Sequence, residues 1–122
     1  MEIPTQTAEQ EQLLSWKHEV EDVRQEVKSM RDLRLERISR RDMTRERMVQ
    51  VEHFQNLFIR QLEVADELFH DLKQTNRRLN NAWIEHHDRP VEGHDELHER
   101  MGTFHKLYDE LKGDFFHFEA HR

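Results

Sequence analysis

The sequence predicts an all-α protein, an elongated antiparallel three-helix bundle of coiled-coil type with a long central helix and a C-terminal helical hairpin. Three observations predict this fold. Neither glycine nor proline occurs between Pro4 and Pro90, so the usual turn residues are missing from most of the chain. Helix formers such as Glu, Arg, Leu and Gln are abundant. Apolar residues recur at steps of three and four, which is the period of one helix face.

The composition is typical of long, narrow helices rather than of a deep globular core. The chain has 122 residues, of which 34% are hydrophobic and 37% are charged, and its formal net charge is −7. A chain of this length predicts a single helical domain over residues 1–122. The chain has no cysteine, which excludes disulfides, thiolate metal sites and cysteine nucleophiles.

The first helix is predicted over about residues 6–39, with Thr5 or Thr7 available as its N-cap. Its apolar stripe steps by threes and fours and therefore occupies one face. The members of this stripe are Leu13, Trp16, Val20, Val23, Val27 and Met30. Beyond Met30 the same spacing brings Arg34 and Arg37 onto the apolar face, so the register of the first helix fails there.

The second helix is predicted over about residues 44–87 and the third over about residues 94–120, with the segment around Pro90 and Gly93 as the hairpin turn. Each has its own apolar stripe. The stripe of the second helix is Val51, Phe54, Phe58, Gln61, Ala65, Leu68, Leu72, Thr75, Leu79 and Ala82. The stripe of the third helix is Leu97, Met101, Phe104, Tyr108, Leu111, Phe115 and Phe118.

The junction between the first two helices has two interpretations. The apolar registers on its two sides are out of phase, which favours a turn between Ser39 and Thr44 with Asp42 or Thr44 as N-cap. The alternative is one continuous helix of about 80 residues with a stammer in its heptads.

The predicted second helix is longer than the third by about 20 Å, at the 1.5 Å rise of an α-helix. A second copy of the chain would cover the part of the second helix that extends beyond the third. We therefore expect a homo-oligomer, with a dimer favoured, or association with another helical protein.

A basic segment extends from Arg31 to Arg47 and contains seven arginines against four acids. Its net charge is +3, which leaves −10 for the rest of the chain. The interleaved acids, and the absence of aromatic residues among the arginines, argue against nucleic acid and favour an acidic protein surface. Near the C-terminus there are more aromatic residues than the apolar stripe of one helix requires, so these residues also suggest an interface. The predicted interface comprises Trp16, Phe58, Phe115, Phe116, Phe118, Arg34, Arg37 and Arg41.

The 10 histidines provide an alternative functional hypothesis. Extrapolation of the two seams across the hairpin places His86 and His94 in facing core positions, and His98 lies one turn after His94. A metal-responsive or pH-responsive binding protein could use these three imidazoles. Helix capping and solvation explain the same residues without an ion, and we therefore predict no metal site and no cofactor.

The sequence contains no motif that indicates catalysis. It has no glycine-rich phosphate loop, no Gly-x-Ser-x-Gly elbow and no His-Glu-x-x-His zinc motif. We expect a non-enzymatic, cytoplasmic protein with no membrane span and no small-molecule substrate, which acts through helix-mediated self-association or as a small adaptor or scaffold. The long helices, Trp16 near the start and the central charged stretch resemble spectrin-like three-helix coiled coils in fold, a resemblance that implies no function.

Overall fold

The protein is an all-α bundle in the computed structural model, which describes residues 4–85 and 93–121, with side chains described for 8–80 and 93–121. Its elements are α1 (Pro4–Ser29), a π-helical turn (Met30–Leu35), α2 (Glu36–Arg41), α3 (Arg45–Glu85) and α4 (His94–Ala120). The predicted fold class is confirmed. None of the described helices combines the length and the apolar character that a bilayer-crossing segment needs.

Polar contacts between the helices define the direction in which each one runs. Gln10 of α1 donates a hydrogen bond from Nε2 to Oδ1 of Asn80, near the end of α3, at 2.7 Å. Further along α1, the guanidinium Nε of Arg24 lies 3.1 Å from Oδ1 of Asp66. Higher positions in α1 therefore meet lower positions in α3, and the two helices are antiparallel.

The third helix of the bundle, α4, returns along α3 in the opposite direction. Arg100 near its start pairs with Asp71 at 2.7 Å, and Phe118 near its end stacks on Phe54 with ring centroids 4.8 Å apart. Helices α1 and α4 are consequently parallel to each other, and both are antiparallel to α3.

The predicted apolar stripes form the core. Every stripe residue whose side chain is described is buried, including the two polar members of α3. The buried residues of α1 to α2 are Leu13, Trp16, Val20, Val23, Val27, Met30, Leu35 and Ile38; those of α3 are Val51, Phe54, Phe58, Gln61, Ala65, Leu68, Leu72, Thr75 and Leu79; those of α4 are Leu97, Met101, Phe104, Tyr108, Leu111, Phe115 and Phe118.

An aromatic cluster fills the core at the end of the bundle where α2 turns into α3. Phe58 lies edge-on to Phe115, with ring centroids 5.1 Å apart, and Phe54 lies edge-on to Phe115 at 5.5 Å. Phe118 closes the cluster by stacking on Phe54. Edge-to-face rings at these separations are favourable beyond the area they bury, so this cluster fixes the C-terminal half of α4 against α3.

The π-helical turn corrects the register predicted for the first helix. A π-helical turn accommodates one extra residue, so the step from buried Met30 to the next buried residue, Leu35, is five rather than four. Ile38 follows at a step of three. The sequence-based extrapolation placed Arg34 and Arg37 on the apolar face; in the structure Leu35 and Ile38 occupy it, and the two arginines flank it.

The junction between α2 and α3 is a short turn, not a continuous helix. The Thr44 backbone N–H donates to Oδ1 of Asp42 at 3.0 Å, and the Arg47 N–H donates to Oγ1 of Thr44 at 3.3 Å. Thr44 is thus the N-cap of α3, bonded to the third residue of the helix. Capping by Thr44, supported by Asp42, explains why the chain reverses direction here.

From Val51 to Leu79, the apolar face of α3 is covered within the chain, so this part of the helix gives no argument for a second copy. Helix α3 has 41 residues and α4 has 27. However, α1 packs beyond the start of α4, and both Leu13 of α1 and Leu79 of α3 are buried. Over its described residues, the apolar face of α3 therefore needs no partner chain.

Candidate functional site

A cleft of about 830 Å³ opens at the end of the bundle, between α2, the beginning of α3 and the C-terminal turn of α4. We call it the basic cleft. It is lined by Arg34, Arg37, Ile38, Arg41, Asp42, Arg47, Phe116, Glu119 and Ala120. Arg34, Arg37 and Arg41 follow one another at steps of three and four, so their side chains leave the helix on the same face.

Arg34 is held in place by Glu119 of α4. Its Nε donates to Oε2 of Glu119 at 2.8 Å, and its Nη2 donates to Oε1, which makes the pair bidentate. The hydrogen bonds from Arg34 hold the pKa of Glu119 below its ordinary value, and the positive charges of Arg34 and Arg37 act in the same direction. The guanidinium of Arg34 also lies 4.5 Å from the ring centroid of Phe116. This arginine therefore fastens the helix containing the π-helical turn to α4.

Arg47 ties the beginning of α3 to the end of α4. Its Nη2 donates to the backbone carbonyl of His121 at 2.6 Å and to that of Phe118 at 3.3 Å. The last carbonyls of a helix lack partners within the helix and carry partial negative charge, so a guanidinium is a favourable cap. Arg47 also lies over the ring of Phe118, at 4.1 Å from its centroid. Its role in the cleft is structural.

Arg37 and Arg41 remain without an acidic partner. The ion pairs that the basic segment forms among the described residues are those of Arg31 with Asp32, Arg34 with Glu119, and Arg40 with Glu36. Both Arg37 and Arg41 are exposed, and both line the basic cleft. The cleft thus presents two positive charges that no described side chain neutralises by direct contact.

Two acids of the basic segment, Asp32 and Glu36, pair with neighbouring arginines outside the cleft, whereas Asp42 lines it. Asp32 accepts from Nε of Arg31 at 2.8 Å, and Glu36 lies 3.1 Å from Nε of Arg40. Asp42 accepts from the Thr44 backbone, and this hydrogen bond lowers the pKa of the Asp42 carboxyl. Asp32 and Glu36 are therefore paired elsewhere, and Asp42 forms no direct ion pair with Arg37 or Arg41 among the described residues.

The predicted interface residues fall into two groups. Trp16, Phe58, Phe115 and Phe118 are buried within the bundle of one chain. The other four, which are Arg34, Arg37, Arg41 and Phe116, lie together at the basic cleft. Phe116 keeps 38% of its surface exposed, so it is the aromatic residue of the predicted set that is available to a ligand.

Five residues of the cleft lining are not among the predicted interface residues, and two of these, Arg47 and Glu119, make long-range polar contacts. Arg47 was part of the basic segment, but its contact with the end of α4 joins positions 71 and 74 residues apart. Glu119 pairs with an arginine 85 residues away. Local spacing contains no signal for such pairs, because the Arg47 contacts depend on the antiparallel packing of α3 and α4, and the Arg34 pair on how the first helix lies along α4.

The histidines proposed as a metal site are only partly described. His86 lies outside the described residues, so its pairing with His94 stays a prediction. His94 is partly buried with its ring centroid 5.3 Å from that of Trp16, and His98 lies 5.9 Å from the same indole. Within residues 8–80 and 93–121, no three His, Asp or Glu side chains form a group that could hold a metal ion.

Replacement of Glu119 by glutamine tests the ion pair that closes the cleft. The folded pKa of Glu119 is depressed, so its contribution to stability is present above the ordinary value of 4.5 and is lost as the pH falls below it. We expect Glu119→Gln to lower the free energy of unfolding at pH 6 by about 0.5–1 kcal/mol, because both partners are about one third exposed. As the pH falls from 6 to 3 the difference from the wild type should shrink, because the Glu119 carboxylate becomes protonated as the pH passes its folded pKa. Urea unfolding at the two pH values measures both differences, and a difference as large at pH 3 as at pH 6 would contradict the assignment.

No protein-family model, no curated protein and no solved structure matches this chain.

Proposed function

We propose that the chain is a non-enzymatic helical-bundle protein that works by associating with an acidic helical surface of another protein chain, and that the basic cleft is its contact surface. The observation that supports this most directly is the pair Arg37 and Arg41, two uncompensated positive charges beside half-exposed Phe116. Arginine and aromatic residues are the types that most often dominate the energetics of protein interfaces. An acidic helix can pair its carboxylates with the two arginines and pack its apolar side chains against Phe116.

A second copy of the chain is the occupant to be tested first. Outside the basic segment the chain has a net charge of −10, so the other faces of a copy offer many carboxylates. Residues 52–72 of α3 contain five acids and one arginine, and this stretch also exposes Ile59. Asp66, Asp71 and Glu63 form ion pairs with arginines of the same chain, whereas exposed Glu52 and Glu67 form none among the described residues. A contact between the basic cleft of one copy and this acidic stretch of another would bring opposite charges together, which is the arrangement that gives specificity and fast association.

Sedimentation velocity tests this proposal. Between about 1 and 100 µM we expect the wild type to shift from monomer to dimer, which corresponds to micromolar affinity. The double variant Arg37→Gln/Arg41→Gln should remain monomeric. Raising the salt from about 0.05 to 0.5 M should weaken the wild-type dimer, because exposed charges are then screened.

The matched control is Arg31→Gln/Arg40→Gln, which removes the same charge from two arginines that already pair with neighbouring acids outside the cleft. Its dimer should form as in the wild type. A wild type that stays monomeric throughout would exclude self-association, and the cleft would then be tested with a glutamate-rich helical peptide. Failure to bind that peptide, or equal binding by both double variants, would overturn the proposal.

A further inference from the structure

Arg37 and Arg41 form an unusual pair within α2, because they are like charges one helical turn apart. Such pairs repel each other and destabilise a helix slightly. Both line the basic cleft, and neither has an acidic partner among the described residues. A dianion bound between them would neutralise both charges, whereas a single carboxylate would leave one charge uncompensated.

The chemical type of the basic residues narrows the class of anion. All seven basic residues between positions 31 and 47 are arginine, while the rest of the chain contains seven arginines and five lysines. Arginine and lysine have similar helix propensities, so helix formation does not require this choice. The planar guanidinium presents its donors as a fork that matches the oxygens of phosphate or carboxylate in a bidentate way.

The arginines that line the cleft outnumber its acids. Glu119 is neutralised by its two hydrogen bonds from Arg34. Asp42 accepts a hydrogen bond from the Thr44 backbone and stays negatively charged. With four arginines against these two acids, the lining keeps a net positive charge of two. With Arg47 capping the end of α4, the walls of the cleft are held by contacts that are independent of Arg37 and Arg41.

From these observations we propose that the basic cleft recognises a phosphate monoester, bound between Arg37 and Arg41. This inference rests on the proposed function, because it names the anionic group that the same cleft takes from its partner. The cavity of about 830 Å³ exceeds the size of a phosphate, so it also accommodates the group that carries it, against the apolar walls of Ile38 and Phe116. The phosphate can be carried by a protein side chain or by a small molecule.

Two small probes separate phosphate recognition from general attraction to anions. Phenyl phosphate and benzoate have the same ring, but at pH 7.5 the first carries nearly two negative charges and the second carries one. In isothermal titration we expect the wild type to bind phenyl phosphate at least about tenfold more tightly than benzoate, since the dianion can accept charge-assisted hydrogen bonds from both guanidiniums while a single carboxylate neutralises only one. The Arg37→Gln/Arg41→Gln variant should lose this preference, and Arg31→Gln/Arg40→Gln should keep it.

A peptide pair then distinguishes the two sources of the phosphate. One peptide has the sequence of residues 52–72, and in the other phosphoserine replaces Glu63. If the phosphopeptide binds more tightly than both the unmodified peptide and phenyl phosphate, the group is carried by a protein; if phenyl phosphate binds as tightly as the phosphopeptide, it is carried by a small molecule.

Equal binding of phenyl phosphate and benzoate would overturn the phosphate inference and leave the proposed function intact, because the latter is judged by sedimentation of the unmodified chain. Equal binding of phenyl phosphate by the two double variants would likewise overturn it, since the phosphate would then be held elsewhere. The proposed function fails on a different result, which is that the chain neither associates with itself in sedimentation nor binds the glutamate-rich helical peptide.

Discussion

Replacement of Phe58 by alanine should lower the free energy of unfolding by about 3–5 kcal/mol. Phe58 is fully buried, and its ring packs against Phe115 at 5.1 Å and Phe54 at 6.2 Å. The substitution removes the apolar contact area and leaves a cavity between α3 and α4, which a packed core closes only in part. Urea unfolding followed by circular dichroism at 222 nm measures the loss.

A matched control removes the same phenyl ring from an exposed position. Phe116 keeps 38% of its surface exposed, so Phe116→Ala should cost less than about half as much as the core substitution. The variant Phe58→Leu retains most of the volume, and its cost of about 1 kcal/mol keeps the measurement possible if the alanine variant does not fold. Equal losses at positions 58 and 116 would show that the aromatic cluster is not packed as described.

Replacement of Gln61 by leucine should raise the free energy of unfolding by about 1–2 kcal/mol. Gln61 lies in the apolar stripe of α3 with 9% of its surface exposed. Its Nε2 is buried and has no hydrogen-bond partner among the described residues. A buried amide donor without a partner loses its hydration without compensation, and leucine of similar size removes that cost.

The matched control for this substitution is Gln55→Leu on the exposed face of the same helix, where a change within about 0.5 kcal/mol is expected. Both variants are compared with the wild type by urea unfolding, and their oligomeric state is checked by sedimentation. A polar residue in a helical core can fix the register of the helices, so Gln61→Leu should also make the packing register within the bundle less specific. A loss of stability would show instead that the amide has a partner.

The core of the bundle was predictable because each helix repeats its apolar spacing over many turns. A residue such as Val20 or Leu68 is flanked by stripe members on both sides, so its burial follows from period alone. The same reasoning failed between Met30 and Ile38, where the spacing contains a step of five. A step of five is not part of the heptad pattern. The π-helical turn makes this step possible, and the burial of Leu35 favours the turn there.

The basic cleft was predictable in its composition but not in its geometry. The cluster of arginines is visible in the sequence, and the local partners of Arg31 and Arg40 are one and four residues away. The partner of Arg34 is 85 residues away, so the sequence could not show which arginines stay unpaired. As far as Leu79, the apolar face of α3 is covered within the chain, which the sequence could not show because this burial depends on where α1 begins relative to α4.

The π-helical turn affects how the first helix would respond to a change in its length. A π-helical turn has the form of a one-residue insertion in an α-helix, and here the apolar residues before Met30 and after Leu35 keep their own regular spacing. Deletion of exposed Leu33 would bring Leu35 to a step of four from Met30 and restore a plain heptad. Long helices are usually intolerant of insertions and deletions, because these rotate everything that follows. Between Met30 and Leu35, we therefore expect this bundle to tolerate the loss of one residue while both halves of its core stay in register.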